Sequence, residues 1–232
     1  MDESRSYKPE GFNSVIISDD TVFDKNLFTM PDEDYSEIDH ICVPEGLIKS
    51  RVEKLAQNIY DDYAECSKVR RLQIFVIMNG AFQFFSDVER YIKKVREYKA
   101  QRLEYDVHFI KIKGYVNTES VLEKIDDAVL PEELIKGKDI LIVEDVYDSG
   151  NLMDILYKHI HKFEPNSVKS AVCVYKCNPK NLKFDFQPDY IGFAVPGDKF
   201  LVGYGMDYNE HFRDLSHICV ISKEGIEKYR EI

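Results

Sequence analysis

Three carboxylates lie close together where a short apolar run ends. Glu144 and Asp145 directly follow the apolar residues 140–143, and Asp148 comes just before the turn residues 149–150. Carboxylates in such a position can hold sugar hydroxyls and hydrated magnesium. A turn that opens a helix leaves backbone N–H groups free to bind an anion. The spacing therefore predicts a site for a phosphorylated sugar, and the alternative is a turn that these acids merely cap.

The elements that must position these acids follow from the apolar periodicity of the chain. Residues 140–143 are apolar and β-branched, which predicts a buried parallel strand leading into a helix over about 151–163. Two more helices are expected, one of about twenty residues after 44–46 and one over 81–98. Further strands are expected at 72–78, 107–113, 168–176, 189–195 and 217–222.

This order of elements predicts an α/β fold with an open, mostly parallel twisted sheet flanked by helices. Ligands of such sheets bind at the carboxyl ends of the strands. The polar, irregular stretch 114–130 has the character of a lid over that edge. We expect Tyr60 and Tyr63 on a helix surface or at an interface, and Phe82 with Phe85 on the inward face of the second helix.

Composition excludes several classes of function. The 232-residue chain carries a net charge of −11, and an acidic surface repels the nucleic-acid backbone. The N-terminus has no apolar signal core, and no apolar run approaches membrane-spanning length, so we expect a cytoplasmic protein without membrane or nucleic-acid partners. Neither a dinucleotide fingerprint nor a P-loop is present. Five scattered cysteines fit a reducing compartment, and thiols are a better interpretation of Cys173 and Cys177 than zinc ligands.

Two longer motifs resemble a known family. The segment 143–150, VEDVYDSG, resembles the phosphoribosyl pyrophosphate signature of type I phosphoribosyltransferases. The segments 198–204 (DKFLVGY), 206–210 (MDYNE) and 212–215 (FRDL) resemble the hypoxanthine-guanine phosphoribosyltransferases. The resemblance is collinear from about residue 11 to the end. It implies one phosphoribosyltransferase domain over 1–232, with a small hood formed by 1–45 and about 190–232.

The resemblance also implies a reaction. A 6-oxopurine base and phosphoribosyl pyrophosphate would give IMP or GMP plus pyrophosphate, with Mg²⁺ as cofactor, in a homodimer or homotetramer. Asp148 would be the general base or proton partner at the purine, and Tyr115 the lid tyrosine that excludes water. Lys176 would donate to the 6-oxo group, Phe200 would stack on the purine, and the backbone of Leu201 would contact its far edge.

The resemblance also assigns residues to the sugar, the phosphates and the metal. Glu144 and Asp145 would bind the ribose hydroxyls and, with Asp207, magnesium. Arg213 would bind pyrophosphate, as would the loop of Asn79 and Gly80, where the family often has a cis non-proline peptide. The backbone of Ser149, Gly150, Asn151 and Leu152 would bind the 5′-phosphate.

Some positions depart from the family pattern and keep a second function open. Leu152 lacks a hydroxyl that family members often place at the phosphate, and Gly114 replaces a serine at the lid. These departures suit a catalytically weakened purine-nucleotide-binding paralogue with a sensing or assembly role. Without the resemblance, Lys176 would be an ordinary strand-end lysine, Phe200 a core residue, and Arg213 half of a surface ion pair with Asp214.

Overall fold

The computed structural model describes residues 13–31, 35–64, 71–112, 115–116, 119–120, 125–184 and 186–230. Six strands form the main sheet in the order β1-β9-β8-β7-β3-β4, and every neighbouring pair is parallel. Their bounds are β1 Val15–Ile16, β3 Leu72–Met78, β4 Tyr105–Lys111, β7 Asp139–Tyr147, β8 Ser167–Cys177 and β9 Tyr190–Pro196.

Helices cover both faces of this sheet. Their bounds are α1 Glu45–Ala64, α2 Phe82–Arg96 and α3 Asn151–His161. A fourth helix, α4 Lys223–Lys228, packs through Ile226 on a separate apolar cluster. Alternate residues of β3 face opposite sides, so that Ile74 and Val76 pack with α1 and α2, while Phe75 and Ile77 belong to the apolar layer under α3. The predicted doubly covered α/β sheet is therefore confirmed, and a strand buried on both faces explains the nearly continuous apolar runs.

A small antiparallel sheet lies beside the main one. It has the order β10-β11-β2 and is built from β2 Ile38–Val43, β10 Leu201–Val202 and β11 Ile218–Ile221. Residues of both chain ends thus meet in one layer, with an apolar core of its own. The limits expected for the hood were too wide, because β1 and β9 hydrogen-bond into the main sheet.

The expected lid contains a short hairpin where it is described. Strand β5 (Tyr115–Val116) pairs antiparallel with β6 (Glu119–Ser120), so this part is not irregular. Lys113, Gly114 and the side chain of Tyr115 lie outside the described residues. In the described part of the chain, no helix is long and apolar enough to cross a membrane.

Two expectations about helix faces were wrong. Tyr60 and Tyr63 are buried, because their hydroxyls donate to the main-chain carbonyls of Gln101 and Ile140, and this satisfies the polar end of each ring inside the core. Phe82 is 51% exposed because it lies on the outer face of α2 with the exposed residues Ser86 and Arg90, whereas Phe85 is buried as expected.

Candidate functional site

The two adjacent acids at the end of β7 have different surroundings. Glu144 is buried, and its Oε1 accepts a hydrogen bond from the Asp145 backbone N–H at 3.1 Å. Its Oε2 is buried with no hydrogen-bond partner. Burial, followed by the charge of Asp145, raises the pKa of Glu144 well above its ordinary value. The site therefore contains a carboxyl group whose hydrogen-bonding capacity is only partly used by the protein.

Asp145 is half-buried and faces the loop after β3. Its Oδ1 accepts from the Val146 N–H at 2.9 Å, and its carboxylate lies so close to Gly80 that a Cβ at that position would overlap Oδ2. The bond between Met78 and Asn79 is a cis peptide, as expected from the resemblance. Glycine at position 80 is therefore what permits the β3 loop and the β7 acid to approach each other.

Residues 148–152 connect β7 to α3, and we call them the phosphate turn after the ligand that the resemblance implies. Gly150 adopts φ +74°, which favours glycine, and no side chain caps the helix. The first intrahelical bond runs from Asp154 N to Gly150 O, so the backbone N–H groups before it point out of the helix end. Asn151 is exposed, whereas Leu152 is partly buried and packs against the apolar layer under α3. The turn therefore offers backbone N–H donors to an anion.

Lys176, Asp148 and Phe200 come together although they are far apart in the chain. Lys176 Nζ donates to Asp148 Oδ2 at 3.2 Å and lies 5.7 Å from the centroid of the Phe200 ring. Phe200 is 38% exposed, while Leu201 is buried in β10. Lys176 is thus neither an isolated strand-end lysine nor solvent-exposed, and Phe200 is not a core residue.

The loop after β10 holds Asp207 and Arg213. Arg213 Nη1 lies 2.8 Å from Asp207 Oδ1 and also donates to the Gly205 carbonyl at 2.8 Å. Burial raises the pKa of Asp207, although the Glu210 N–H and Arg213 oppose this effect. A Cβ at Gly205, which has φ +97°, would overlap the Gly80 carbonyl oxygen. This loop is therefore packed directly on the loop of the cis peptide.

The acids that the resemblance assigns to magnesium do not form a ready metal centre. Across the residues described, no group of three or more His, Cys, Asp or Glu side chains is placed to hold a metal ion. Glu144 is buried, and Asp207 is paired with Arg213. Mg²⁺ normally keeps several waters and binds one or two carboxylates together with substrate phosphates. The acids present fit an ion that arrives with a diphosphate better than an ion held by protein alone.

Sequence reasoning missed residues that hold this site in place. The Tyr208 ring packs edge-on against Phe200, with centroids 5.1 Å apart. The Tyr204 hydroxyl donates to Asp87 Oδ2 at 2.7 Å and thereby joins the β10 loop to α2. Asp87 could have been found as an acid on the inward face of an amphipathic helix. Tyr208 lies within the motif 206–210, but the motif does not show its contact with Phe200, which is made only by folding.

The comparisons with known proteins agree with this geometry. The model of the phosphoribosyl transferase domain matches residues 44–209. The chain is 36% identical to the human phosphoribosyltransferase domain-containing protein 1 over 231 residues, covering 99% of this chain and 100% of that protein. It is 36% identical to the hypoxanthine-guanine phosphoribosyltransferase of Bos taurus over 220 residues, covering 94% and 97%.

A solved structure extends the likeness to three dimensions. The hypoxanthine-guanine phosphoribosyltransferase of Schistosoma mansoni, in complex with IMP, matches with a TM-score of 0.78 and 30% identity. The match covers 94% of this chain and 100% of that chain. Domain, relatives and fold thus point the same way, and the chain belongs to the type I phosphoribosyltransferases, as a homologue of the hypoxanthine-guanine enzymes.

Proposed function

We propose that the protein transfers the phosphoribosyl group of phosphoribosyl pyrophosphate to hypoxanthine or guanine, forming IMP or GMP and pyrophosphate. The observation that carries this proposal is the group of Lys176, Asp148 and Phe200 beside the phosphate turn. A cation, an acid and an accessible aromatic ring next to an anion site match the parts of a purine nucleotide. The relatives named for hypoxanthine and guanine support the same substrates.

The purine half of the site is supplied by three side chains. The Lys176 ammonium donates to a 6-oxo acceptor, which favours hypoxanthine and guanine over adenine. The exposed face of Phe200 stacks on the base, and the Leu201 backbone borders its far edge. Asp148 accepts the proton that the base loses at N7 as the new bond to ribose forms. Asp148 accepts a hydrogen bond from the Lys176 ammonium, which holds the two side chains together at the place proposed for the base.

The sugar and phosphate half uses acids and backbone groups. Asp145 and the free oxygen of Glu144 accept from the ribose hydroxyls. The turn backbone of 149–152 donates to the 5′-phosphate. The loop of Asn79 and Gly80 binds the departing pyrophosphate, and Arg213 adds positive charge beside it. Asp145 and Asp207 would hold a magnesium ion that arrives with the diphosphate, and the ion would supply neutralisation of the diphosphate charge. Tyr115 would close the lid over the reaction.

Turnover with each base tests this function. Purified protein with phosphoribosyl pyrophosphate and Mg²⁺ should convert hypoxanthine to IMP and guanine to GMP, and adenine should be a poor substrate. Asp148→Asn removes the proton acceptor but keeps the shape of the side chain, so we expect turnover to fall by about 100-fold or more while IMP still binds. Absence of product from any 6-oxopurine with intact fold would contradict the proposal.

A second function, purine-nucleotide binding with weak catalysis, is favoured by one observation. The Leu152 side chain packs on the core and offers no hydroxyl to the phosphate. Calorimetry would then show tight binding of IMP, and the turnover assay would show negligible product. If Leu152→Thr and Gly114→Ser leave turnover unchanged, these two departures are ordinary variation and this second function loses its basis.

We also propose that the protein forms a homo-oligomer through the face of α2. Phe82 is 51% exposed and Phe109 on β4 is 56% exposed. Phe85 lies one turn after Phe82 and contacts the Phe109 ring with centroids 6.0 Å apart. We call the two exposed rings, Phe82 and Phe109, the α2–β4 patch, and a second copy of the chain would cover it.

A further inference from the structure

Two stacked tyrosines lie beneath the phosphate turn. Tyr147 on β7 and Tyr175 on β8 are register neighbours, and both are buried. Their rings are parallel within 7°, with centroids 5.2 Å apart. A Cβ at Gly150 would lie 2.6 Å from the Tyr147 hydroxyl oxygen and 2.8 Å from a Phe184 ring carbon. The turn that offers its backbone to an anion therefore rests on the tip of Tyr147.

Both hydroxyls are bonded to one segment of chain, the described residues 181–184 and 186–187, which we call the strap. Tyr147 Oη donates to the Phe186 carbonyl at 3.2 Å. Tyr175 Oη donates to Gln187 Oε1, also at 3.2 Å. Gln187 Nε2 in turn donates to the carbonyls of Asn181 and Phe184, at 3.0 and 3.3 Å. The strap is thus held by side chains of two central strands and by a side chain of its own.

The far end of the strap is joined to Lys176. Asn181 is fully buried, and its Nδ2 donates to the Lys176 carbonyl at 2.8 Å. Lys176 carries the ammonium of the purine half, whereas Tyr147 supports the phosphate half. Hydrogen bonds from the buried side chains of Tyr147, Tyr175 and Asn181 are therefore connected through the strap, and they link the two halves of the site. The Lys176–Asp148 bond joins the same halves directly.

We infer that Tyr147 and Asn181 are positioning residues that hold the phosphate turn and Lys176 at the spacing a purine nucleotide requires. This inference rests on the proposed function. Both side chains are buried, so neither would contact the ligand itself. Tyr147 acts through Gly150 on the backbone donors of the turn, and Asn181 acts through the main chain of Lys176. Buried hydrogen-bond networks of this kind fix geometry because each unmade bond is costly.

Tyr147→Phe and Tyr175→Phe form a matched pair that isolates the phosphate half. Each keeps its ring and removes one buried hydroxyl bonded to the strap, but only Tyr147 Oη lies under Gly150. Calorimetry with IMP and with inosine measures what the phosphate contributes to binding. For Tyr147→Phe we expect the affinity for IMP to fall about three- to tenfold and that for inosine to stay the same. Tyr175→Phe should leave the ratio of the two affinities unchanged, with a similar loss of thermal stability.

Asn181→Ala tests the purine half with the same two ligands. Loss of the bond to the Lys176 carbonyl should weaken IMP and inosine equally, so that their ratio stays at the wild-type value. The inference is overturned if Tyr147→Phe keeps the wild-type ratio, if Tyr175→Phe lowers the ratio as much, or if Asn181→Ala changes neither affinity. Wild-type protein that binds no IMP overturns the proposed function and this inference with it. If the wild-type protein binds IMP more tightly than inosine, the variants alone decide whether the inference holds.

Discussion

Glu144 shows how one residue can serve a ligand at a cost to the free protein. Its carboxyl group is buried, one oxygen has no hydrogen-bond partner, and the neighbouring Asp145 repels its charge. A charged group in such a place destabilises the fold unless it finds a partner. The ribose hydroxyls that we propose as ligands would supply the missing donors. Affinity for the sugar and stability of the empty protein are therefore opposed at this position.

Removal of this acid should stabilise the protein in a pH-dependent way. The pKa of Glu144 is raised in the folded state, so the folded protein binds more protons than the unfolded chain above the ordinary value of 4.5. Stability is then lost as the pH rises through that region. We expect Glu144→Gln to raise the free energy of unfolding by about 1–3 kcal/mol near neutral pH and to change it little at acidic pH.

Urea denaturation at several pH values, without ligand, measures this effect. Glu133→Gln, at an exposed glutamate, provides the control and should have no such pH dependence. A Glu144→Gln protein that is less stable than wild type at neutral pH would show that the charged carboxylate is stabilising after all. The same variant should bind IMP more weakly, because a ribose partner has been changed.

At the scale of elements, the site is assembled by contacts between loops of two sheets. The loop after β3, the end of β7 and the loop after β10 meet at Gly80. A side chain at Gly80 would overlap Asp145, and a side chain at Gly205 would overlap the Gly80 carbonyl oxygen. Helix α2 is tied to the same place, because Asp87 accepts from the Tyr204 hydroxyl in the β10 loop. The small sheet therefore brings Asp207 and Arg213 to the main-sheet site through a few short-range contacts.

The hydrogen bond from Tyr204 to Asp87 should contribute more to the free energy of unfolding than the ion pair of Arg90 with the same carboxylate. Tyr204→Phe leaves one oxygen of the buried Asp87 without its donor, and we expect a loss of about 1–3 kcal/mol in the free energy of unfolding. Arg90 donates to the other oxygen at 2.9 Å, but its side chain is 57% exposed. Arg90→Ala should therefore cost less than about 1 kcal/mol.

Denaturant unfolding of both variants decides this comparison. The double variant of Tyr204→Phe with Asp87→Asn should lose less than the sum of the single losses, since the two residues share one interaction. Strictly additive losses, or a larger loss for Arg90→Ala, would contradict the role given to Tyr204.

At the scale of the whole molecule, the α2–β4 patch is the surface through which copies of the chain would associate. Phe82→Glu places a charge among apolar rings and should convert the oligomer to monomer, as measured by sedimentation velocity. Val129→Glu, at another exposed apolar position, is the matched control and should not change the oligomeric state. A wild-type monomer, or a Phe82→Glu oligomer, would show that this patch is not the subunit contact.

The sequence by itself determined the elements and the identity of the main chemical groups. Apolar periodicity located the main-sheet strands other than β1, because a strand covered on both faces must be apolar along its length. The strand at 72–78 has the same limits in the structure, and the acids of 144–148 do follow a buried run. The long motif at 198–215 marked the family. These features are local, so a stretch of a few residues contains the signal for each.

Only the tertiary structure decided which of these groups meet and how they are held. Tyr60 and Tyr63 are buried because distant carbonyls accept their hydroxyl hydrogens. Arg213 pairs with Asp207 and Glu210, and Glu144 keeps an oxygen without a partner. The strap crosses beneath the phosphate turn, although its residues follow β8. The contacts of the two tyrosines and of the strap join residues far apart in the chain, and periodicity and spacing carry no information about such contacts.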